Sequence, residues 1–173
     1  MSSQDSKTNN EDTINLVKKF IASNQRKRRN LVNDIESSAE SLFAVGKEII
    51  EYVDREGDDW SIGWVLQVLK KYKPKFFEND TYNNWFYTKS ALDLKYNDLQ
   101  LNLLSQNFEE ADRLTSSYLR KLAGKVAESR GYVFYSEVKD MPSEDLVTID
   151  RLWNIYSQGK FGFSNQAKLL KSV

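Results

Sequence analysis

The chain has 173 residues, 40% of them hydrophobic, 13% aromatic and 29% charged, a length that suits one compact domain or two small ones sharing an interface. It contains 0 cysteines and 0 histidines, which excludes disulfides, zinc sites of the Cys/His kind, thiol nucleophiles, the serine-hydrolase triad and histidine-ligated haem. Lys+Arg 25 balance Asp+Glu 25 and the isoelectric point is near 6.4, so no net field draws the chain to nucleic acid or to an anionic membrane.

Residues 1–12 are almost wholly polar and are expected to form a disordered lead. Ile14, Val17, Phe20 and Ile21 recur at helical spacing, and a longer run through Leu31, Ile35, Leu42, Val45, Ile49 and Val53 continues the pattern as far as Gly57. Asp58-Asp59 can cap the next helix, which carries Trp60, Trp64, Val65, Val68, Leu69 and Tyr72 and cannot pass Pro74. Residues 13–74 are therefore expected to be a small helical bundle. Residues 75–97 lose the periodicity but hold Phe76, Phe77, Tyr82, Trp85, Phe86 and Tyr87, and such a linker is expected to lie across a seam between two helical units.

From 98 to 173 helical patterns return. Leu99, Leu103 and Leu104 make a short helix, and Asn107 can cap one bearing Phe108, Ala111, Leu114, Tyr118, Leu119 and Leu122, closed by Gly124. Residues 125–141 are less regular, with Tyr132-Val133-Phe134-Tyr135 and Val138 as an apolar cluster. Pro142 starts a helix with Glu144 and Asp145 in its first turn, where the helix dipole favours them, and Leu146, Ile149, Leu152, Trp153 and Tyr156 mark one face. Phe161-Gly162-Phe163 reads as a turn and Ser164 as the cap of a last helix. The fold class is all-α. The longest apolar stretch, around Gly63-Trp64-Val65-Leu66, is far too short for a bilayer, and the polar opening Met1-Ser2-Ser3-Gln4-Asp5-Ser6-Lys7 is not expected to act as a secretory or transit signal.

Chemistry-bearing motifs are scarce. The basic run Gln25-Arg26-Lys27-Arg28-Arg29 reads as a solvated helix start or a docking patch rather than a phosphate grip. Neither Gly57 to Gly63 nor Gly159-Lys160-Phe161-Gly162 has the context of a phosphate loop, and the pairs Glu109/Glu110 and Glu144/Asp145 are explained by the helix dipole. A salt bridge is the expected role of Asp150. No constellation suggests an enzyme. Rings, in contrast, crowd the carboxyl-terminal part: Tyr132, Phe134, Tyr135, Trp153, Tyr156, Phe161 and Phe163. Two of them flank Gly162, where backbone can approach another group closely, and such a surface would suit a flat, largely apolar ligand.

The ordered motifs are more specific. They run Leu104-Ser105-Gln106-Asn107-Phe108-Glu109-Glu110-Ala111-Asp112, Leu122-Ala123-Gly124, Tyr135-Ser136-Glu137-Val138, Met141-Pro142-x-x-Asp145-Leu146, Ile149-Asp150-Arg151-Leu152-Trp153 and Ser157-x-Gly159-x-Phe161-Gly162-Phe163-Ser164-x-Gln166. Over about 95–173 the chain resembles the genomes-uncoupled-four family, porphyrin-binding stimulators of magnesium chelatase in oxygenic phototrophs. The resemblance implies a cupped helical core that binds protoporphyrin IX or magnesium protoporphyrin IX and does no catalysis itself. It implies a partner in the large porphyrin-binding subunit of magnesium chelatase, no nucleic acid, at most peripheral membrane association, and a monomer. The location implied is the cytoplasm of a cyanobacterium-like phototroph or a plastid stroma. By position, Tyr135 and Val138 match residues lining the family's cup and Phe161 and Phe163 the segment leading to its mobile loop, with Lys160 and Lys168 as candidates for a basic rim. Asp145, Leu146 and Trp153 match positions with capping and packing roles. Asn165 and Ala167 depart from the family pattern, and the family core runs on past the point of Val173, so an incomplete core is expected here. With no imidazole in the chain, a bound magnesium would keep water or take an oxygen ligand. A different class of function, a helical interaction module that kept this scaffold and lost the porphyrin, follows from the same residues.

Overall fold

The computed structural model describes residues 3–50, 53–77 and 85–172. Among them there is no strand. The helices are α1 (Ser3–Ala22), α2 (Gln25–Ser37), α3 (Ala39–Ala44), α4 (Gly46–Ile50), α5 (Trp60–Tyr72), α6 (Asn97–Leu104), α7 (Phe108–Ala123), α8 (Lys125–Arg130), α9 (Tyr135–Val138), α10 (Ser143–Tyr156) and α11 (Phe163–Leu170), with a 3-10 turn at Pro74–Phe77. The all-α fold read from the sequence is the fold observed. Tyr82 of the aromatic segment and Val173 lie outside the described residues.

Two elements differ from the sequence pattern. Helix α1 starts at Ser3, inside the stretch read as a disordered lead. Its buried anchors are Val17 and Phe20, and once such a segment is packed, each further polar residue joins the helix at little cost; Thr13 Oγ1 donates to the Asn9 carbonyl at 2.8 Å. The run from Leu31 to Val53 is three helices. At the first break Ser38 Oγ donates back to the Asp34 carbonyl at 2.9 Å, which bends a helix and lets Ile35, Ala39 and Leu42 all face inward.

Helix α5 is the centre. Every residue from Trp60 to Leu69 is buried, as expected of a helix apolar on all sides. Asp59 caps it, accepting from the Ser61 amide at 2.8 Å, and also holds Arg28 in a two-pronged ion pair at 2.7 and 2.8 Å. Arg28 donates in turn to the carbonyls of Phe20 and Ile21 at the end of α1, so one guanidinium joins α1, α2 and α5. Gln67 spends its buried amide on the carbonyls of Leu103 and Tyr156, at 2.9 and 2.8 Å, near the ends of α6 and α10. Between them, α5 and α10 meet at Gly63. A Cβ there would lie 2.3 Å from the Ile155 carbonyl oxygen and 2.7 Å from Ile155 Cγ2.

The segment from 85 to 96 is bound down by side chains. Gln100 accepts from the Phe86 amide at 2.8 Å and from the Tyr156 hydroxyl at 3.1 Å. Thr148 donates to the Lys89 carbonyl at 2.8 Å. Asp145, fully buried, accepts from the Ala91 amide at 2.9 Å and the Tyr96 hydroxyl at 2.7 Å, so it ties a loop to α10 instead of capping its own helix. Phe77, Trp85 and Phe86 are buried in the shared core.

Gly63 therefore sets the distance between α5 and α10. Gly63→Ala should cost about 2–3 kcal/mol of stability, a fall of roughly 5–10 °C in Tm for a chain of this size. A thermal melt by circular dichroism checks this; an unchanged Tm would show that the helices do not meet there.

An apolar groove beside an aromatic hollow

The face of α10 turned away from α5 forms one wall of a groove of about 740 Å³. Leu146, Val147 and Asp150 come from α10, Leu119 from α7, Val133, Tyr135, Val138 and Met141 from the turn containing α9, and Phe163 from the start of α11. The volume lies in the range of small-molecule sites. Tyr135 is 95% exposed and Val147 63%, so this apolar wall stands open to solvent.

The α9 wall is shaped by one arginine. Gly131 ends α8 in the left-handed region at φ 89°, turning the chain outward. Arg130 then donates to Glu137 Oε2 at 2.6 Å and to the Tyr132 carbonyl at 2.9 Å. Its guanidinium lies 4.0 Å from the Phe134 ring centre and 4.6 Å from that of Tyr132. Glu137 also accepts from the Phe134 amide at 2.7 Å. Tyr132 and Phe134 are thereby used on Arg130, and neither lines the groove.

The α11 wall depends on Asp150. Its Oδ1 accepts from the Ser164 amide at 3.0 Å and the Ser164 hydroxyl at 3.2 Å. Asp150 thus caps α11, and among the described residues it forms no salt bridge, contrary to the expectation above; Ser164 is the capped residue rather than the cap. Gly162 is required here. Its φ is 124°, and a Cβ would lie 2.6 Å from Asp150 Oδ1. Asn165 places its amide within 2.6 Å of Asn154 Oδ1, 3.0 Å of the Gly159 carbonyl and 3.1 Å of the Phe161 carbonyl, which fixes the turn before α11.

On the other side of Phe163 lies a second hollow of about 300 Å³, lined by Phe108, Trp153, Phe161 and Gly162 with Asp112, Thr115 and Gln166. Each pair among Phe108, Trp153 and Phe161 has ring centres 6.1 Å apart, and Trp153 Nε1 donates to Thr115 Oγ1 at 3.0 Å.

Of the residues singled out in the sequence, Tyr135, Val138 and Phe163 meet in the groove. Phe161 lines the aromatic hollow. Lys168 does not line the groove but a polar hollow with Arg28, Asp58, Asp59 and Asn154, which shares Asp150 with the groove, and Lys160 is exposed without lining any of these hollows. Tyr156 is buried in the core, where desolvation pushes its hydroxyl far above the ordinary range; burial, then the bond to Asp145, does the same to Tyr96. Neither ring can exchange protons near neutrality. Sequence reasoning missed Leu119, Val133, Met141 and Val147, and gave Leu146 a packing role. Single aliphatic residues carry no chemical signature; for Leu146 and Val147 the shared face on α10 was the available signal.

A family model described as GUN4-like matches residues 89–173. The chain is 47% identical over 75 residues to a protein of Arabidopsis thaliana named tetrapyrrole-binding protein, chloroplastic, covering 43% of this chain and 28% of that one. It is 46% identical over 81 residues to the ycf53 protein of Porphyra purpurea, 47% of this chain and 34% of that one. To the Ycf53-like protein of Synechocystis it is 37% identical over 113 residues, 63% of this chain and 48% of that one. In each case the match spans less than half of the relative's length.

The groove wall built on Glu137 is acid-sensitive. The Phe134 amide, then Arg130, hold this carboxyl below its ordinary value of 4.5. A group with a depressed folded pKa stabilises above its unfolded value and loses that contribution as pH falls through the folded one. Hydrogen exchange at the Phe134 amide, corrected for its intrinsic rate, should lose protection as pH falls below 4.5. Glu137→Gln should remove that dependence. Protection indifferent to both would contradict the geometry.

Proposed function

We propose, from the match of residues 89–173 to the GUN4-like family model, that the groove between α7, α9, α10 and α11 binds a tetrapyrrole, protoporphyrin IX or its magnesium complex. The observation that carries this reading is the groove itself: about 740 Å³, walled by aliphatic and aromatic side chains, with Asp150 the one charged group in its lining. The name of the Arabidopsis relative supports the same ligand class.

Affinity comes from burying the macrocycle faces on Val138, Leu146, Val147 and Phe163, at about 25 cal/mol per Å² of apolar area before the costs of ordering. Tyr135 stands at the open side as a ring that can lie against the ligand. The fit requires no nitrogen ligand, and the chain has 0 histidines; a magnesium ion carried by the ligand would be held by water or an oxygen donor. Asp150 accepts from the Ser164 amide and hydroxyl, and with no basic side chain in the groove lining the ligand's carboxylates are best placed at the solvent edge.

The groove lining is aliphatic and aromatic apart from Asp150, whose Oδ1 is taken up by Ser164. The role we assign is presentation: the protein holds a porphyrin, shields one face, and thereby stimulates the magnesium-insertion step performed by magnesium chelatase. It acts as a regulator, not an enzyme, in a plastid or cyanobacterial setting. Among the described residues, no helix is long and apolar enough to cross a membrane.

Titration with protoporphyrin, followed by quenching of tryptophan emission, tests the reading. Trp153 adjoins Phe163 across the hollow and is the natural reporter. Val138→Asp, at a half-exposed position, should weaken binding by about tenfold or more by placing a charge on the apolar wall. Val126→Asp, exposed and outside the groove, should leave it unchanged. Equal affinity in both variants, or no saturable quenching of the folded chain, would overturn the assignment.

A further inference from the structure

The hollow beyond Phe163 differs in chemistry from the groove. Its walls are the rings of Phe108, Trp153 and Phe161, in mutual contact and only partly covered. Its rim carries the carboxylate of Asp112. Asp112 also lines an adjoining depression along α7, which holds Asn107, Glu109, Glu110, Arg113, Ser116 and Arg120. The neighbouring Glu110 is satisfied by Arg113 at 2.7 and 2.8 Å. Among the described residues, Glu109 and Asp112 take part in no ion pair.

We propose that this hollow is a docking subsite for an arginine side chain presented by a partner polypeptide. Aromatic faces carry negative electrostatic potential and attract cations, and the Asp112 carboxylate adds a full charge at the edge. An apolar occupant would gain nothing from that carboxylate, whereas a cation is drawn to it. A guanidinium suits the place better than an ammonium because it lies flat on a ring while offering two parallel donors to a carboxylate. At about 300 Å³ the hollow is at the lower limit for a whole small molecule and matches one side chain. The depression that continues past Asp112 along α7 gives the rest of a chain somewhere to lie. The subsite is organised beforehand, since Thr115 holds the Trp153 indole and Asn165 holds the backbone of Phe161.

The test uses the whole chain and a short probe, the acetylated and amidated peptide Gly-Gly-Arg-Gly-Gly, with Trp153 emission as the signal and Trp153→Phe as the blank. Saturable binding in the millimolar range is expected. It should weaken by about fivefold or more when citrulline replaces the arginine, and equally in Asp112→Asn. Asp112 is exposed, and circular dichroism confirms that the variant folds. Protoporphyrin binding by Asp112→Asn should match the parent, and peptide binding by Val138→Asp should too, so the groove and the hollow can fail separately. The proposal is overturned by an absent response, by equal binding of the citrulline peptide, or by tetramethylammonium binding as tightly as the peptide.

Discussion

Helices α5 and α10 touch at Gly63, and the carboxyl-terminal half takes its shape from that contact. A side chain as small as one methyl would meet the Ile155 carbonyl at 2.3 Å. With the helices this close, Ile149, Leu152, Ile155 and Tyr156 are forced into the core. Gln67 and Gln100 then lock the end of α10 by bonding Tyr156 at its carbonyl and its hydroxyl. The helical period leaves Leu146, Val147, Asp150 and Trp153 for the other face. Both hollows grow from that face: the apolar groove from its beginning and the aromatic one from its end.

The rest of the groove is held by polar ties, not by core packing. Arg130 and Glu137 set α9, Asp150 and Ser164 set α11, and Asn165 sets the turn between α10 and α11. Short helices fastened in this way can expose Tyr135, Val138, Val147 and Phe161 without collapsing onto them. Exposed apolar surface of this kind is uncommon on a protein that needs no partner or ligand.

Much of the architecture was legible because strong local signals agreed with the long-range packing. Asp59 before α5, Gly124 after α7 and Pro142 before α10 mark those helices where they occur. The start of α1 and the breaks at Ser38 and Val45 were not legible, since helix propagation and bending there depend on what the segment packs against. The seven carboxyl-terminal rings looked like one cluster in the sequence. In the structure Tyr156 fills the core, Tyr132 and Phe134 flank Arg130, Trp153 and Phe161 face Phe108, and Tyr135 and Phe163 reach the groove. Asp150 shows the same limit. Its partner is an amide 14 positions away, a contact that only the turn at Gly162 brings about.

The most direct measurement is the methyl NMR spectrum of the chain with and without protoporphyrin, since the macrocycle's ring current shifts only methyls that lie against it. The account predicts large shifts at Val138, Leu146 and Val147 with Leu42 and Val65 unmoved. Shifts confined to the amino-terminal helices, or a spectrum unaltered at saturating porphyrin, would contradict it.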